Sequence, residues 1–130
     1  MSLGNYWQVI GMAGISEEWQ ADFLKDGVYG LEGSQTTFQV SGKSMESDLI
    51  YEDDFVVVDP EKQVNNGDIV VIDVGSGFYL VKHFCKENDH LKFYSSESKN
   101  NPMILDDAKI IGKVVAILCK HKDKHKAYEL

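Results

Sequence analysis

The sequence predicts a mostly β protein, folded as one compact domain of antiparallel strands. After residue 35, short alternating or continuous apolar runs recur at the intervals typical of strands. Two glycine-containing turn signals, Asn66-Gly67 and Gly75-Ser76-Gly77, stand between these runs. Helical periodicity is weak beyond the first third of the chain, so we expect packed strands and a mobile N-terminal arm that can fold over them.

The chain length sets the number of domains. Its 130 residues, 43% of them hydrophobic, suffice for one domain with its own core, and a second full domain does not fit. We expect an N-terminal arm over residues 1–35, a β-rich domain over residues 36–119 and a basic C-terminal tail over residues 120–130.

The arm has little regular pattern. Ser16 is a suitable N-cap for a short helix from Glu17 to Phe23. Three glycines then mark a loop: Gly27, Gly30 and Gly33.

Six strands are predicted in the remainder of the chain from their apolar or alternating patterns. They are Thr37–Val40, Phe55–Asp59, Asp68–Val74, Phe78–Cys85, Leu91–Tyr94 and Ile110–Leu118. The last of these is almost continuously apolar, which fits two alternatives equally well. It is either a fully buried core strand or a strand that also contributes to a dimer interface.

Lys82 breaks the pattern of its strand. Side chains alternate across a strand, so Lys82 shares a face with Phe78, Leu80 and Phe84, while His83 points to the other face. An ammonium held on an apolar face loses hydration, which favours the neutral amine and makes Lys82 a candidate general base. We assign His83 no catalytic role.

A matching nucleophile stands upstream. Ser44 lies in Gly42-Lys43-Ser44-Met45, a glycine-containing bend after a predicted strand. Ser44 and Lys82 together form a candidate Ser/Lys dyad, with backbone amides of Lys43 and Ser44 as candidate donors to an oxyanion. Taken separately, each residue has an ordinary interpretation, because short serine-containing strings are common and strand lysines usually extend into water.

Charge and composition exclude several other functions. A net charge of -8 argues against DNA binding by this chain itself, and the basic cluster at residues 120–126 is typical of a solvated tail. His121 and His125 have a spacing that suits a metal on a helix, but no third ligand stands near them, so we expect neither a metal nor a cofactor. Free Cys85 and Cys119 and the absence of a membrane span indicate a cytoplasmic protein.

Several ordered motifs between Val9 and Leu118 resemble the C-terminal domain of LexA and phage repressors, a family of self-cleaving Ser/Lys peptidases that also includes UmuD. The matching motifs are Phe38-Gln39-Val40-Ser41-Gly42-Lys43-Ser44-Met45, Ile50-Tyr51-Glu52-Asp53-Asp54-Phe55-Val56-Val57-Val58-Asp59, Val64-Asn65-Asn66-Gly67-Asp68-Ile69-Val70-Val71, Val81-Lys82-His83-Phe84 and Ile111-Gly112-Lys113-Val114-Val115. Two departures concern turn geometry. Glu46-Ser47-Asp48 replaces a common proline, and Asp53 replaces a usual glycine.

The resemblance also implies a substrate, partners and a fold. Ala13-Gly14 is similar to the bond that these proteins cut in themselves, and its spacing from Ser44 and Lys82 is close to that of the family. The family's signal-peptidase-like β fold, homodimers, activation by a RecA filament and DNA binding through a separate N-terminal helix-turn-helix domain follow as expectations. Two alternatives stay open: a UmuD-like accessory protein of translesion synthesis, and a domain that dimerises without cleaving.

Overall fold

The computed structural model describes residues 9–12, 31–75, 77–121 and 124–130. Within these ranges the chain forms nine strands and two short 3-10 helices, the latter at Glu46–Asp48 and Ser96–Ser98. The strands are β1 (Val9–Met12), β2 (Thr36–Ser41), β3 (Phe55–Asp59), β4 (Ile69–Gly75), β5 (Phe78–Glu87), β6 (His90–Tyr94), β7 (Met103–Ile104), β8 (Lys109–His121) and β9 (Lys124–Glu129).

All strand pairings in these ranges are antiparallel, and they link the strands in the order β1-β2-β3-β8-β4-β5-β6-β7. Strand β1 also pairs with β5, so β1, β2, β3, β8, β4 and β5 form a closed ring of pairings. Strand β9 pairs with the C-terminal half of β8. The expected compact antiparallel β domain is confirmed.

Strand β8 lies at the centre of this arrangement. Its backbone pairs with β3 and with β4, and a register shift in each ladder accommodates its extra residues. Val114 and Ile117 are buried in one core cluster, and Ala116 and Leu118 in another. Three further apolar residues of the run, Ile110, Ile111 and Val115, are only half-buried, so both interpretations of the run stay open.

The six predicted strands are present: β2, β5 and β6 are one or two residues longer than predicted, β8 is four residues longer, β3 has the predicted bounds and β4 is shifted by one residue. The sequence did not indicate β1, β7 or β9. Of these, β1 lies within the segment assigned to the arm and β9 within the segment assigned to the basic tail. The helix expected at Glu17 to Phe23 falls outside the described residues. Neither 3-10 helix is long or apolar enough to cross a membrane, and the described chain has no other helix.

Candidate active site

The bend that carries Ser44 is held between buried side chains. Strand β2 ends at Ser41, and Gly42 turns the chain with a φ of 99°, a conformation that glycine adopts without a steric penalty. Met45 and Ile50 are fully buried in the core cluster beneath the bend. The 3-10 helix Glu46–Asp48 connects them, so the hydroxyl of Ser44 extends from a backbone that is anchored on both sides.

Asp53 occupies the turn that follows. Its φ of 71° lies in the left-handed region, where aspartate is tolerated better than most other residues. Its amide donates to the carbonyl of Val40 at 2.9 Å, which ties the turn back to β2. Replacement of the usual glycine by Asp53 therefore preserves the turn.

Lys82 is buried on β5. Its exposed fraction is 0%, and Leu80 and Phe84, its neighbours on the same face, are buried as well. Its partner on the neighbouring strand β4 is Val70. The prediction that this lysine occupies an apolar strand face is confirmed.

Ser44 and Lys82 meet at hydrogen-bond distance. The Nζ of Lys82 lies 3.0 Å from the Oγ of Ser44. Burial lowers the pKa of Lys82 from 10.5 to about 8, although the negative charge of Asp48 acts in the opposite direction. A substantial fraction of this amine is therefore neutral at mildly alkaline pH, when it can accept the hydroxyl proton.

A second polar cluster lies beside the pair. The Nε2 of His83 is 2.8 Å from the Oδ1 of Asp48, and the Nδ1 of His83 is 2.8 Å from the carbonyl oxygen of Gly67. Ser96 donates to Asp48 from both its backbone amide and its hydroxyl. Burial alone raises the pKa of Asp48, but the hydrogen bonds from Ser96 and His83 outweigh it and hold the pKa below its ordinary value.

The Peptidase S24-like family matches residues 12–115, a range that contains both Ser44 and Lys82. The chain belongs to the Peptidase S24-like family. Among curated S24-like relatives, a protein named LexA repressor from Caldicellulosiruptor saccharolyticus is 35% identical over 92 residues, covering 69% of this chain and 45% of the relative. The LexA repressor of Bacillus cytotoxicus is 37% identical over 87 residues, covering 67% of this chain and 41% of the relative.

This S24-like chain thus spans less than half the length of these relatives. A third relative, the LexA repressor of Alkaliphilus oremlandii, is 35% identical over 88 residues, which cover 68% of this chain and 42% of the relative. The resemblance drawn from the sequence motifs is confirmed at the level of the family.

Other predicted site residues of this S24-like domain have different outcomes. The backbone amides of Lys43 and Ser44 lie in the bend after β2, and their role as oxyanion donors stays a prediction. Ala13 and Gly14 fall outside the described residues. Met12, which directly precedes them, pairs with Phe38 at the end of β1.

Sequence reasoning missed the cluster of Asp48, His83 and Ser96. Asp48 and Ser96 are 48 residues apart, and no local pattern indicated that they meet. His83 was expected to point away from Lys82, and its ring contacts the carbonyl oxygen of Gly67 and the carboxylate of Asp48. No group of three or more potential metal ligands occurs among the residues that the structure describes. His121 and His125 lie on consecutive strands, so the helical spacing considered for them does not apply.

Proposed function

We propose that this chain is the self-cleaving regulatory domain of a LexA-like transcriptional repressor. The observation that carries the proposal is the 3.0 Å contact between Ser44 and a fully buried Lys82. Membership of a peptidase family and similarity to proteins named LexA repressor support it. DNA binding is then the task of a helix-turn-helix segment outside this sequence, and the location is cytoplasmic.

The cleavage reaction uses Lys82 first as a base and then as an acid in each of its two stages. Ser44 Oγ bonds to the carbonyl carbon of Ala13 while its proton passes to the neutral Nζ of Lys82. Backbone amides of Lys43 and Ser44 stabilise the resulting oxyanion. The Ala13–Gly14 bond then breaks as the Lys82 ammonium gives its proton to the departing Gly14 amine. In the second stage Lys82 takes a proton from a water that attacks the ester, and it returns this proton to Ser44 Oγ as the bond to Ala13 breaks.

The pairing of β1 suggests how cleavage is controlled. Val9 pairs with Leu80, and β1 runs from there away from Lys82. Met12 therefore lies about five residue spacings from Lys82 along the sheet, or roughly 16 Å at 3.3 Å per residue. Cleavage requires that the carbonyl carbon of Ala13 reach Ser44, so docking of this bond at the Ser44–Lys82 pair is the step at which we propose that cleavage is controlled. A partner that stabilises the docked arrangement accelerates cleavage by shifting the population, a role that the resemblance gives to a RecA filament.

Homodimer formation belongs to the same proposal. Leu49, Tyr51, Tyr128 and Leu130 are exposed apolar residues around a groove of about 590 Å³ beside the ends of β8 and β9. A second copy of the chain is the occupant that the family resemblance favours. Light scattering should report a dimer for the wild type and a monomer for Tyr128→Glu, whereas an unchanged mass for this variant would place the interface elsewhere.

Incubation at alkaline pH tests the cleavage itself. Wild-type protein held at pH 9 to 10 should yield a fragment whose N-terminal residue is Gly14, identified by mass spectrometry. Ser44→Ala and Lys82→Met should remain intact under the same conditions. Intact wild type after prolonged incubation would favour the alternative of a domain that dimerises without cleaving.

A UmuD-like accessory protein of translesion synthesis is the second candidate. It has the same Ser/Lys chemistry and differs in lacking a DNA-binding domain upstream. The names of the curated relatives favour the repressor, because they are LexA repressors. Sequencing the gene upstream of Asn5 separates the two, since only the repressor requires a helix-turn-helix segment there.

A further inference from the structure

Asp48 connects three separate parts of the chain close to the Ser44–Lys82 pair. It ends the 3-10 helix that begins two residues after Ser44. Its carboxylate contacts His83, the strand neighbour of Lys82, and Ser96 at the start of the second 3-10 helix. With 8% of its side chain exposed, it is a largely buried carboxylate in the space between these elements.

His83 is held at both of its ring nitrogens. The carbonyl oxygen of Gly67 lies 2.8 Å from Nδ1, and the carboxylate of Asp48 lies 2.8 Å from Nε2. Stacking of the His83 ring on Tyr94, with centroids 5.2 Å apart, fixes the plane of the ring. Three contacts therefore orient His83 on the strand that carries Lys82.

We propose that Asp48 and His83 are positioning residues that join the turn after Ser44 to the strand that carries Lys82. The inference rests on the proposed self-cleavage, but the Lys82 titration described below does not require cleavage.

The need for such a link follows from the distance between the two residues in sequence. Ser44 and Lys82 are 38 residues apart and belong to different elements, so their 3.0 Å contact depends on how those elements are held together. Proton transfer requires this contact, and a displacement of about 1 Å can reduce a reaction rate on the order of a hundredfold. The Asp48–His83 pair lies one residue from Lys82 and four residues from Ser44, where it can prevent such a displacement.

The charged and titratable groups around the Asp48 carboxylate come from two strands. Lys82 and His83 belong to β5, and Tyr94 belongs to β6, where burial raises its pKa with additional contributions from Cys85 and Asp48. Removing the Asp48 charge takes away an interaction that favours the ammonium of Lys82. The pH at which Lys82 loses its proton should consequently fall.

Two substitutions separate charge from geometry. In Asp48→Asn, the amide oxygen can still accept from Ser96 while the amide nitrogen can donate to the Nε2 of His83, so the connections survive without the charge. Asp48→Ala removes both the hydrogen-bonded connections and the charge. Glu46→Gln is the matched control, because Glu46 is an exposed carboxylate in the same 3-10 helix and lies only two residues from Ser44.

The titration of Lys82, followed by NMR of lysine labelled with 13C at Cε, tests the charge without relying on cleavage. A Ser44→Ala background keeps every sample intact, and Lys82→Met assigns the resonance. Asp48→Asn should lower the Lys82 midpoint by about 0.5 pH unit or more, as expected for removal of a nearby charge, while Glu46→Gln should leave it unchanged. Equal midpoints in Asp48→Asn and the parent would overturn the assignment.

The rate of self-cleavage on the alkaline plateau tests the geometry. Asp48→Ala should be about ten- to a hundredfold slower than wild type, and Asp48→Asn close to it. His83→Phe keeps the stacking but loses both hydrogen bonds, and combining it with Asp48→Ala should add little further loss. Folded samples of Asp48→Ala that reach the wild-type plateau would refute the positioning role. A wild-type chain that never cleaves would instead refute self-cleavage, and the titration would still decide the role of the charge.

Discussion

The Nζ of Lys82 lies 3.0 Å from the Oγ of Ser44, and the lysine that makes this contact has no exposed surface. A lysine kept from water in this way loses the hydration that stabilises its charge, which is why burial lowers its pKa to about 8. The same burial that makes the amine a useful base also destabilises the folded protein at neutral pH.

The cost of burying Lys82 leads to a prediction about stability. A pKa of about 8 in place of 10.5 means that the fold disfavours the ammonium by about 3 kcal/mol. Methionine has a similar length and no charge, so Lys82→Met should raise the free energy of unfolding at pH 7 by about 2 kcal/mol. Urea unfolding monitored by circular dichroism, in a Ser44→Ala background, measures the difference.

The advantage of Lys82→Met should shrink as the pH rises. Between pH 8 and pH 10.5 the unfolded chain still holds the Lys82 proton while the folded chain has released it. The unfolded state then binds more protons, so the stability of the parent protein rises with pH across this range. Lys86→Met, at an exposed position on the same strand, is the control and should show neither effect. Equal stability of Lys82→Met and its parent at pH 7 would argue against a buried ammonium.

If the chain cleaves itself as proposed, its half-life should be independent of protein concentration. Ser44 and the Ala13–Gly14 bond belong to one chain, so their encounter would be unimolecular. Densitometry of intact and cleaved protein over a hundredfold range of concentration should give one first-order rate constant. A rate constant that increases in proportion to concentration would show that one molecule cuts another.

Leu49 offers a stabilising substitution next to the site. Its φ of 64° places it in the left-handed region, which is unfavourable for a leucine, and its side chain is 70% exposed. Asparagine tolerates this conformation. Because Leu49 also lines the proposed dimer groove, the comparison is made in the monomeric Tyr128→Glu background, where Leu49→Asn should raise the free energy of unfolding by about 0.5 to 1 kcal/mol. Leu31→Asn, at an exposed leucine without a positive φ, should bring no such gain. A loss of stability in Leu49→Asn in this background would contradict the prediction.

Gly112 lies at a close approach between β8 and β3. A Cβ at this position would stand 2.8 Å from the carbonyl oxygen of Asp59 and 2.8 Å from Cγ1 of Val58. A backbone oxygen cannot move aside without disturbing the ladder, so Gly112→Ala should lower the free energy of unfolding by about 1 to 3 kcal/mol. Thermal unfolding measures this loss, and a variant as stable as the wild type would show that the two strands separate easily.

Local patterns predicted much of the fold. Strands β2, β3, β4, β5, β6 and β8 have apolar or alternating residues that indicate burial, and the three connections from β2 to β5 contain glycine. Strand β9 escaped prediction because its sequence, Lys124-His125-Lys126-Ala127-Tyr128-Glu129, is largely polar. Its pairing with β8 consists of backbone hydrogen bonds, which the side-chain pattern does not reveal.

The site was predictable where a residue conflicted with its surroundings. Lys82 interrupts an apolar strand face, and that interruption identified it. Asp48 and His83 look unremarkable in their local sequence, because a polar residue in a short turn and a histidine in a strand are both common. Their relationship becomes evident only when β5 and the 3-10 helix Glu46–Asp48 are brought together by the fold.

The pH dependence of the self-cleavage rate tests the central claim most directly. If neutral Lys82 removes the proton from Ser44, the first-order rate constant should rise about tenfold per pH unit in the acidic range and level off above a midpoint near pH 8. Product formation would be followed by mass spectrometry of the fragment that begins at Gly14. A rate constant that does not change with pH, or a fragment that still forms in Lys82→Met, would contradict the account.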